Sequence, residues 1–181
     1  MTSITITEGL AEIKTLEKRI QHKSAALIPY VARPAALIDP LEKKGGSALY
    51  ITGEMQSIMD LQNRLISIRT AIQNTNLKTK LTVQGIERTI AEWLTWRKEI
   101  SNNQRMLLAN IRAQISRARG EGRPSTARQA VADATSTGVD QIHVSVDESG
   151  IISASEQMEQ VLGTLDGQLS LMNATVRLDL A

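Results

Sequence analysis

Residues 51–72 read ITGEMQSIMDLQNRLISIRTAI. Their apolar positions Ile51, Met55, Ile58, Leu61, Leu65, Ile68 and Ile72 step by 4, 3, 3, 4, 3 and 4. An α-helix turns once every 3.6 residues, so these steps draw one stripe along a rod. The stepping matches a coiled-coil or bundle seam. A rod of this kind must bury its stripe, which sets the fold class: helices packed on helices of the same chain or of another.

Upstream, Ser47 offers this helix an N-cap. Residues 33–46 read as a loop because they hold Pro34, Pro40 and the Gly45-Gly46 pair. A first helix starts at Thr7 or Glu8. Leu10, Ile13, Ile20, Leu27 and Val31 follow three-and-four spacing, and Leu16 widens the stripe. Pro29 kinks or ends it, since proline lacks the N–H of a helix interior. Ser3-Ile4-Thr5-Ile6 alternates polar and apolar and suits a short strand.

Downstream, the second helix fades near Asn74-Thr75-Asn76. Between Thr79 and Arg88 the period changes to two, with Leu81 and Val83 alternating with polar residues and Gln84-Gly85 turning a hairpin. Thr89-x-x-Glu92 is a capping box that opens a third helix. Its stripe runs Ile90, Trp93, Ile100, Leu107, Ile111, Ile115 and Ala118. Some 30 residues of helix reach about 45 Å, longer than a compact domain of this size needs, so the rod is expected to pack on another subunit. Gly120 to Ser125 breaks it. Gln141 to Val146 alternates strictly and reads as a strand. Ser153-x-x-Glu156 opens a fourth helix with Met158, Val161, Leu162, Leu165, Leu169 and Met172 on one side. Gly163 and Gly167 within it each cost about 1 kcal/mol relative to Ala or admit another backbone. Thr175 to Leu180 alternates again.

The expected fold is mainly α with small β elements (α+β). Residues 1–119 form an antiparallel long-helix hairpin or bundle with a β-hairpin near 79–88. Residues 120–140 are a linker, and 141–181 a strand–helix–strand segment whose two strands pair with each other or with another chain.

Composition narrows the chemistry. The 181 residues include two Trp, two Tyr, no Phe and no Cys, so thiolate metal sites and disulfides are excluded. At 2% aromatic content the large rings that dominate binding pockets are scarce. No nucleophile elbow, phosphate-binding glycine loop or HExxH pattern occurs. His22 and His143 have no second ligand at metal spacing and read as surface or packing residues. Asp147-Glu148-Ser149-Gly150 lacks the twelve-residue calcium pattern and reads as a turn or helix lead-in. No catalytic, cofactor-binding or metal residue is expected, and an enzyme is not.

Charge is polarised. Residues 105–128 carry Arg105, Arg112, Arg117, Arg119, Arg123 and Arg128 against Glu121, a net +5. Residues 133–181 carry eight acids against Arg177, a net −7. Such polarity favours head-to-tail contact between copies or docking on an acidic partner. The arginines form a candidate basic face for nucleic acid, although the aromatic interleaving of a single-strand binder is missing. Trp93, Trp96, Ile100, Leu107, Ile111 and Ile115 form a candidate interface. Residues 1–10 lack a basic n-region and an apolar run, so no signal peptide is expected, and no stretch approaches a membrane span.

Leu61-x3-Leu65-x2-Ile68-x3-Ile72-x2-Thr75-Asn76-x2-Thr79, preceded by Leu16-x2-Arg19-Ile20, resembles the septicolysin-like helical family, whose members pair two helices ahead of a Thr-Asn-rich corner. The likeness covers about half the chain, ends after Trp96 and implies that helix pair but no defined activity. In style the chain is similar to small virion proteins of tailed bacteriophages: helical hairpin, β-hairpin corners, no Cys and opposed charge segments. That likeness implies a non-enzymatic structural protein of a phage particle, decorating or cementing the head or sitting at neck or tail. Its partners would be its own copies and other virion proteins. Its location would be the virion, made in the host cytoplasm. A nucleic-acid-associated protein, and a cytoplasmic septicolysin-like protein of unknown role, are the alternatives.

Overall fold

The computed structural model describes residues 3–121 and 144–180. In chain order these form β1 (Ile4–Thr5), α1 (Ile6–Leu27), α2 (Gly46–Lys78), β2 (Lys80–Val83), β3 (Ile86–Thr89), α3 (Ile90–Thr95), a π-helical turn (Trp96–Ile100), α4 (Ser101–Glu121), α5 (Glu148–Thr175) and β4 (Arg177–Leu178). The architecture is mainly α with two small two-stranded sheets, β1–β4 and β2–β3. Its described contacts group into two compact units. One holds residues 3–81, 89–91 and 168–180; the other holds 82–88, 92–121 and 144–167. The last turns of α5 and β4 therefore belong with α1 and α2.

In the first unit, α1 and α2 run antiparallel, as the cross-helix ion pairs Glu12–Arg64 and Lys23–Glu54 require. Ile6, Ile13 and Leu16 of α1 meet Ile68, Ala71 and Ile72 of α2 and Leu178 of β4 in one buried cluster. The Thr5 hydroxyl accepts from the Glu8 amide (3.2 Å) while the Glu8 carboxylate accepts from the Thr5 amide (2.7 Å). This capping box starts α1 a residue before the expected Thr7, and also holds the Glu8 carboxyl below the usual range. A 3-10 turn at Ile28–Tyr30 carries Pro29 and ends the helix, as expected of that residue.

β4 pairs antiparallel with β1, Ile4 opposite Leu178 and Thr5 opposite Arg177. The Ile6 amide continues the pairing by donating to the Val176 carbonyl (3.1 Å). The C-terminal alternating run thus pairs with the N-terminal one in the same chain, the expected partners being Gln141–Val146 or another chain. Gln141 to His143 lie outside the described residues, and Val144 to Val146 form no strand.

The start of α2 corrects the role given to Ser47. The helix begins at Gly46, with Gly45 in the left-handed region at φ 92°, where a side chain would be strained. The carboxylate of Asp39, not the Ser47 hydroxyl, serves this end. It accepts from the Ser47 amide (2.8 Å), the Ser47 hydroxyl (2.5 Å) and the Leu41 amide (2.9 Å). At its other end α2 runs on to Lys78, where the Thr79 amide donates to the Thr75 carbonyl (2.9 Å).

The hairpin β2–β3 turns at Gln84 (φ 50°) and Gly85 (φ 78°). Two consecutive positive φ angles make the type I′ turn that matches strand twist. α3, the π turn and α4 form one continuous helical path, which belongs to the second unit from Glu92 on. Within it the Ser101 amide donates to the Trp96 carbonyl, five residues back, so that turn is wider than an α-turn. The widening breaks the single stripe expected from Ile90 to Ala118. Ile90 and Trp93 before it are buried, whereas Ile100 and Leu107 after it are exposed.

α5 begins at Glu148, not at the Ser153 capping box. Asp147 caps it: its Oδ1 accepts from the Ser149 amide (3.0 Å) and hydroxyl (2.6 Å). Those bonds hold the Asp147 carboxyl below its usual range. The Asp-Glu-Ser-Gly stretch is a helix lead-in, as its lack of calcium ligands implied.

Candidate functional site

The π turn sits where the chain keeps both of its tryptophans. Trp93 and Trp96 pack edge to face, their ring centroids 5.6 Å apart at 86°, and Trp93 is only 1% exposed. The indole N–H of Trp96 donates to Gln104 Oε1 (3.0 Å) across the widened turn. The Arg88 guanidinium of β3 lies 5.0 Å from the Trp93 ring centroid, within cation–π range. Between these groups and Met158 and Val161 of α5 lies a cleft of about 200 Å³, also lined by Ile86, Gln104, Ala154 and Gln157. Of the candidate interface, then, Trp93 and Trp96 are taken up inside the chain. Ile100 and Leu107 face outward, and Ile111 and Ile115 are half-buried.

The basic run meets acids of its own chain. Arg97, Arg105 and Arg119 rise along the third helical path while their partners Asp166, Glu159 and Glu148 descend α5. An antiparallel helix pair laced by guanidinium–carboxylate contacts results. Arg105 binds in the two-pronged manner that arginine favours, Nε to Oε1 and Nη2 to Oε2, both 2.8 Å. Arg112 lines a small cleft with Ile115, Arg119, Glu148 and Ile151, and Arg117 is exposed. Arg123 and Arg128 lie outside the described residues. Much of the charge polarity seen in the sequence is therefore met within the chain, and two of the four described candidate arginines are held by carboxylates.

α2 carries a second apolar stripe on its outward side. At about 100° per residue, Met55, Met59, Ile66 and Leu77 fall within one sector of about 40°. That sector lies opposite the buried face of Ile68, Ala71 and Ile72. Each of the four is more than half exposed. Thr52, Gln62, Thr70 and Gln73 fill the positions between them, and Asn63 and Arg69 flank them, Arg69 paired with Glu17 of α1. Met55 had been counted into the seam that runs through Leu61 and Ile68; it belongs to this outer strip. The strip was legible in principle, because Met59, Ile66 and Leu77 are the apolar residues that the seam leaves over.

His22 is exposed on α1 beside Lys18 and Arg19, and His143 lies outside the described residues. Among the described residues no group of three or more His, Asp or Glu is placed to hold a metal ion. No described helix is long and apolar enough to cross a membrane.

No family model matches the chain, and no curated protein matches it. Among solved structures it is similar to a functionally unknown conserved protein from Corynebacterium diphtheriae. The likeness has a TM-score of 0.50 at 16% identity and covers 98% of this chain and 100% of that one. At such identity it speaks for the fold alone.

Proposed function

We propose that this chain is a non-enzymatic assembly protein, and that it joins a second copy of itself through the outer strip of α2. The symmetry of that strip carries the proposal. Ile66 lies eleven residues from Met55 and eleven from Leu77. Eleven residues return to one helix face to within about 20°. Two α2 helices packed antiparallel about a two-fold axis at Ile66 set Met55 of one copy against the partner's Leu77, and Met59 against the partner's Gln73. Contact of this kind is self-complementary, and the charge nearest the axis, Arg69, is already paired with Glu17 of its own chain.

From Met55 to Leu77 the strip is about 33 Å long. One helix face falls short of the roughly 800 Å² per partner of a standard stable interface. Pairing is therefore weak in dilute solution and strengthens where a scaffold raises the local concentration. The scaffold we propose, from the style of the sequence, is a phage particle, with this chain decorating the head or sitting at neck or tail.

Sedimentation velocity over a concentration series tests the seam. The wild-type coefficient is expected to rise with concentration. Ile66→Glu, which sets two carboxylates against each other at the axis, is expected to hold the chain monomeric, while Ile66→Leu retains pairing. A wild type that stays monomeric at the highest concentration, or an Ile66→Glu variant that pairs equally well, overturns the proposal. Mass spectrometry of purified particles tests the setting separately, since absence of the chain removes the particle and leaves the seam.

A further inference from the structure

We propose that the cleft between the two tryptophans and α5 binds a small planar aromatic carboxylate. Its volume of about 200 Å³ is set by Ile86, Trp93, Trp96, Met158 and Val161. An apolar cavity of about 150 Å³ accommodates benzene, so a single ring is the occupant of matching size. Trp93 and Trp96 stand edge to face in its wall, Trp93 1% and Trp96 8% exposed, so an incoming ring meets chiefly the Trp96 indole.

Arg88 decides the charge of the ligand. It is the one charged side chain in the lining, which contains no carboxylate. It lies over the Trp93 ring, which attracts a cation through its quadrupole but does not fill the guanidinium's hydrogen-bonding fork. A planar carboxylate is the group that matches that fork, with two parallel N–H···O bonds. Gln104 has its side-chain oxygen engaged by Trp96, and with Gln157 it supplies neutral polar groups at the same cleft. A few polar groups converging on an apolar, ring-lined recess is the general anatomy of a small-molecule site.

The helix itself is deformed there. The π turn begins at Trp96, and the wide turn places that indole against Gln104. Single π turns are uncommon and recur at functional sites.

Because the chain has two tryptophans and both line the cleft, intrinsic indole fluorescence reports on this site alone. The probes are benzoate, benzyl alcohol (ring without charge) and acetate (charge without ring), added to the full chain. Benzoate is expected to shift the emission saturably, benzyl alcohol to bind about tenfold more weakly, and acetate to leave the spectrum unchanged. Arg88→Gln is expected to bring benzoate down to the level of benzyl alcohol without moving benzyl alcohol itself. Circular dichroism checks that this variant of a half-buried strand residue remains folded, and Arg88→Lys, which keeps charge but loses the fork, is expected to fall between the two. Absence of a saturable response to benzoate, or equal binding of benzoate by the wild type and Arg88→Gln, overturns the proposal. The cleft lies apart in sequence from the α2 strip, so either outcome leaves the pairing of copies to be judged by its own test.

Discussion

Arg105 of α4 and Glu159 of α5 meet through two parallel hydrogen bonds of 2.8 Å, joining the most basic and one of the most acidic parts of the chain. Both side chains are about half exposed, so solvent and salt screen the pair. Glu159→Arg is expected to destabilise the fold by about 0.5–1 kcal/mol, or about 1–4 °C in Tm for a chain of this size. The double variant Arg105→Glu with Glu159→Arg is expected to recover most of that loss, and high salt to shrink it. Thermal unfolding of the four species at two ionic strengths measures both effects.

Two neighbours on α2 separate packing from surface. Ile68 is fully buried among Ile6, Ile13 and Leu178, and Ile68→Ala leaves a cavity expected to cost about 2–5 kcal/mol. Ile66, two residues earlier, points outward, so Ile66→Ala is expected to change monomer stability by less than about 0.5 kcal/mol. Urea unfolding at low protein concentration distinguishes them.

Three helical glycines are expected to respond differently to alanine. A Cβ on Gly9 would lie 2.8 Å from Leu178 Cδ1 and 3.4 Å from Ile68 Cγ2, inside the closed core. At Gly163 and Gly167 it would meet nothing within 4 Å. Gly163→Ala and Gly167→Ala are each expected to stabilise by roughly 1 kcal/mol, the usual helical gain. At Gly9 crowding offsets that gain, so Gly9→Ala is expected to be neutral or destabilising. Tm values of the three variants decide it.

Asp39 gives the start of α2 an acid-sensitive latch. Bonds from the Ser47 hydroxyl and amide, then from the Leu41 amide, hold its carboxyl down at about 2 from the ordinary 3.8. The folded pKa lies below the unfolded one, so the stabilisation is complete above about pH 4 and is lost as pH falls from there towards 2. Asp39→Asn is expected to flatten that part of the stability curve. Urea midpoints of wild type and variant at pH 5 and at pH 2 to 3 test the sign.

What the sequence made legible was local. The α2 stripe apart from Met55, Pro29 at the end of α1 and Gln84-Gly85 in the hairpin each act within a few residues, and each stands in the structure where its spacing put it. The misses were matters of partner and of phase. Asp39 reaches forward eight residues to Ser47, displacing the nearer cap candidate. The π turn at Trp96 has no residue signature, yet it rotates everything after it and turns Ile100 and Leu107 outward. Arg105 reads in the sequence as part of a candidate basic face, and its partner Glu159 emerges only when helix pairing places the two together. The tryptophan cleft was invisible for the same reason, since Arg88, Trp96 and Met158 come from three elements.

The clasp of Ile4 on Leu178 has a consequence for biosynthesis. Leu178 fills the core beside Gly9 and Ile68, and it leaves the ribosome 100 residues after Lys78 ends α2. Until it arrives, α1 and α2 hold an open apolar hole at their paired ends, uncovered while the residues between Lys78 and Leu178 are made. Contacts spanning nearly the whole chain are slow to form because their loop-closure entropy comes first. Closure of this unit thus waits for β4, and chaperone engagement before then is expected to focus on Ile6, Ile68 and Ile72.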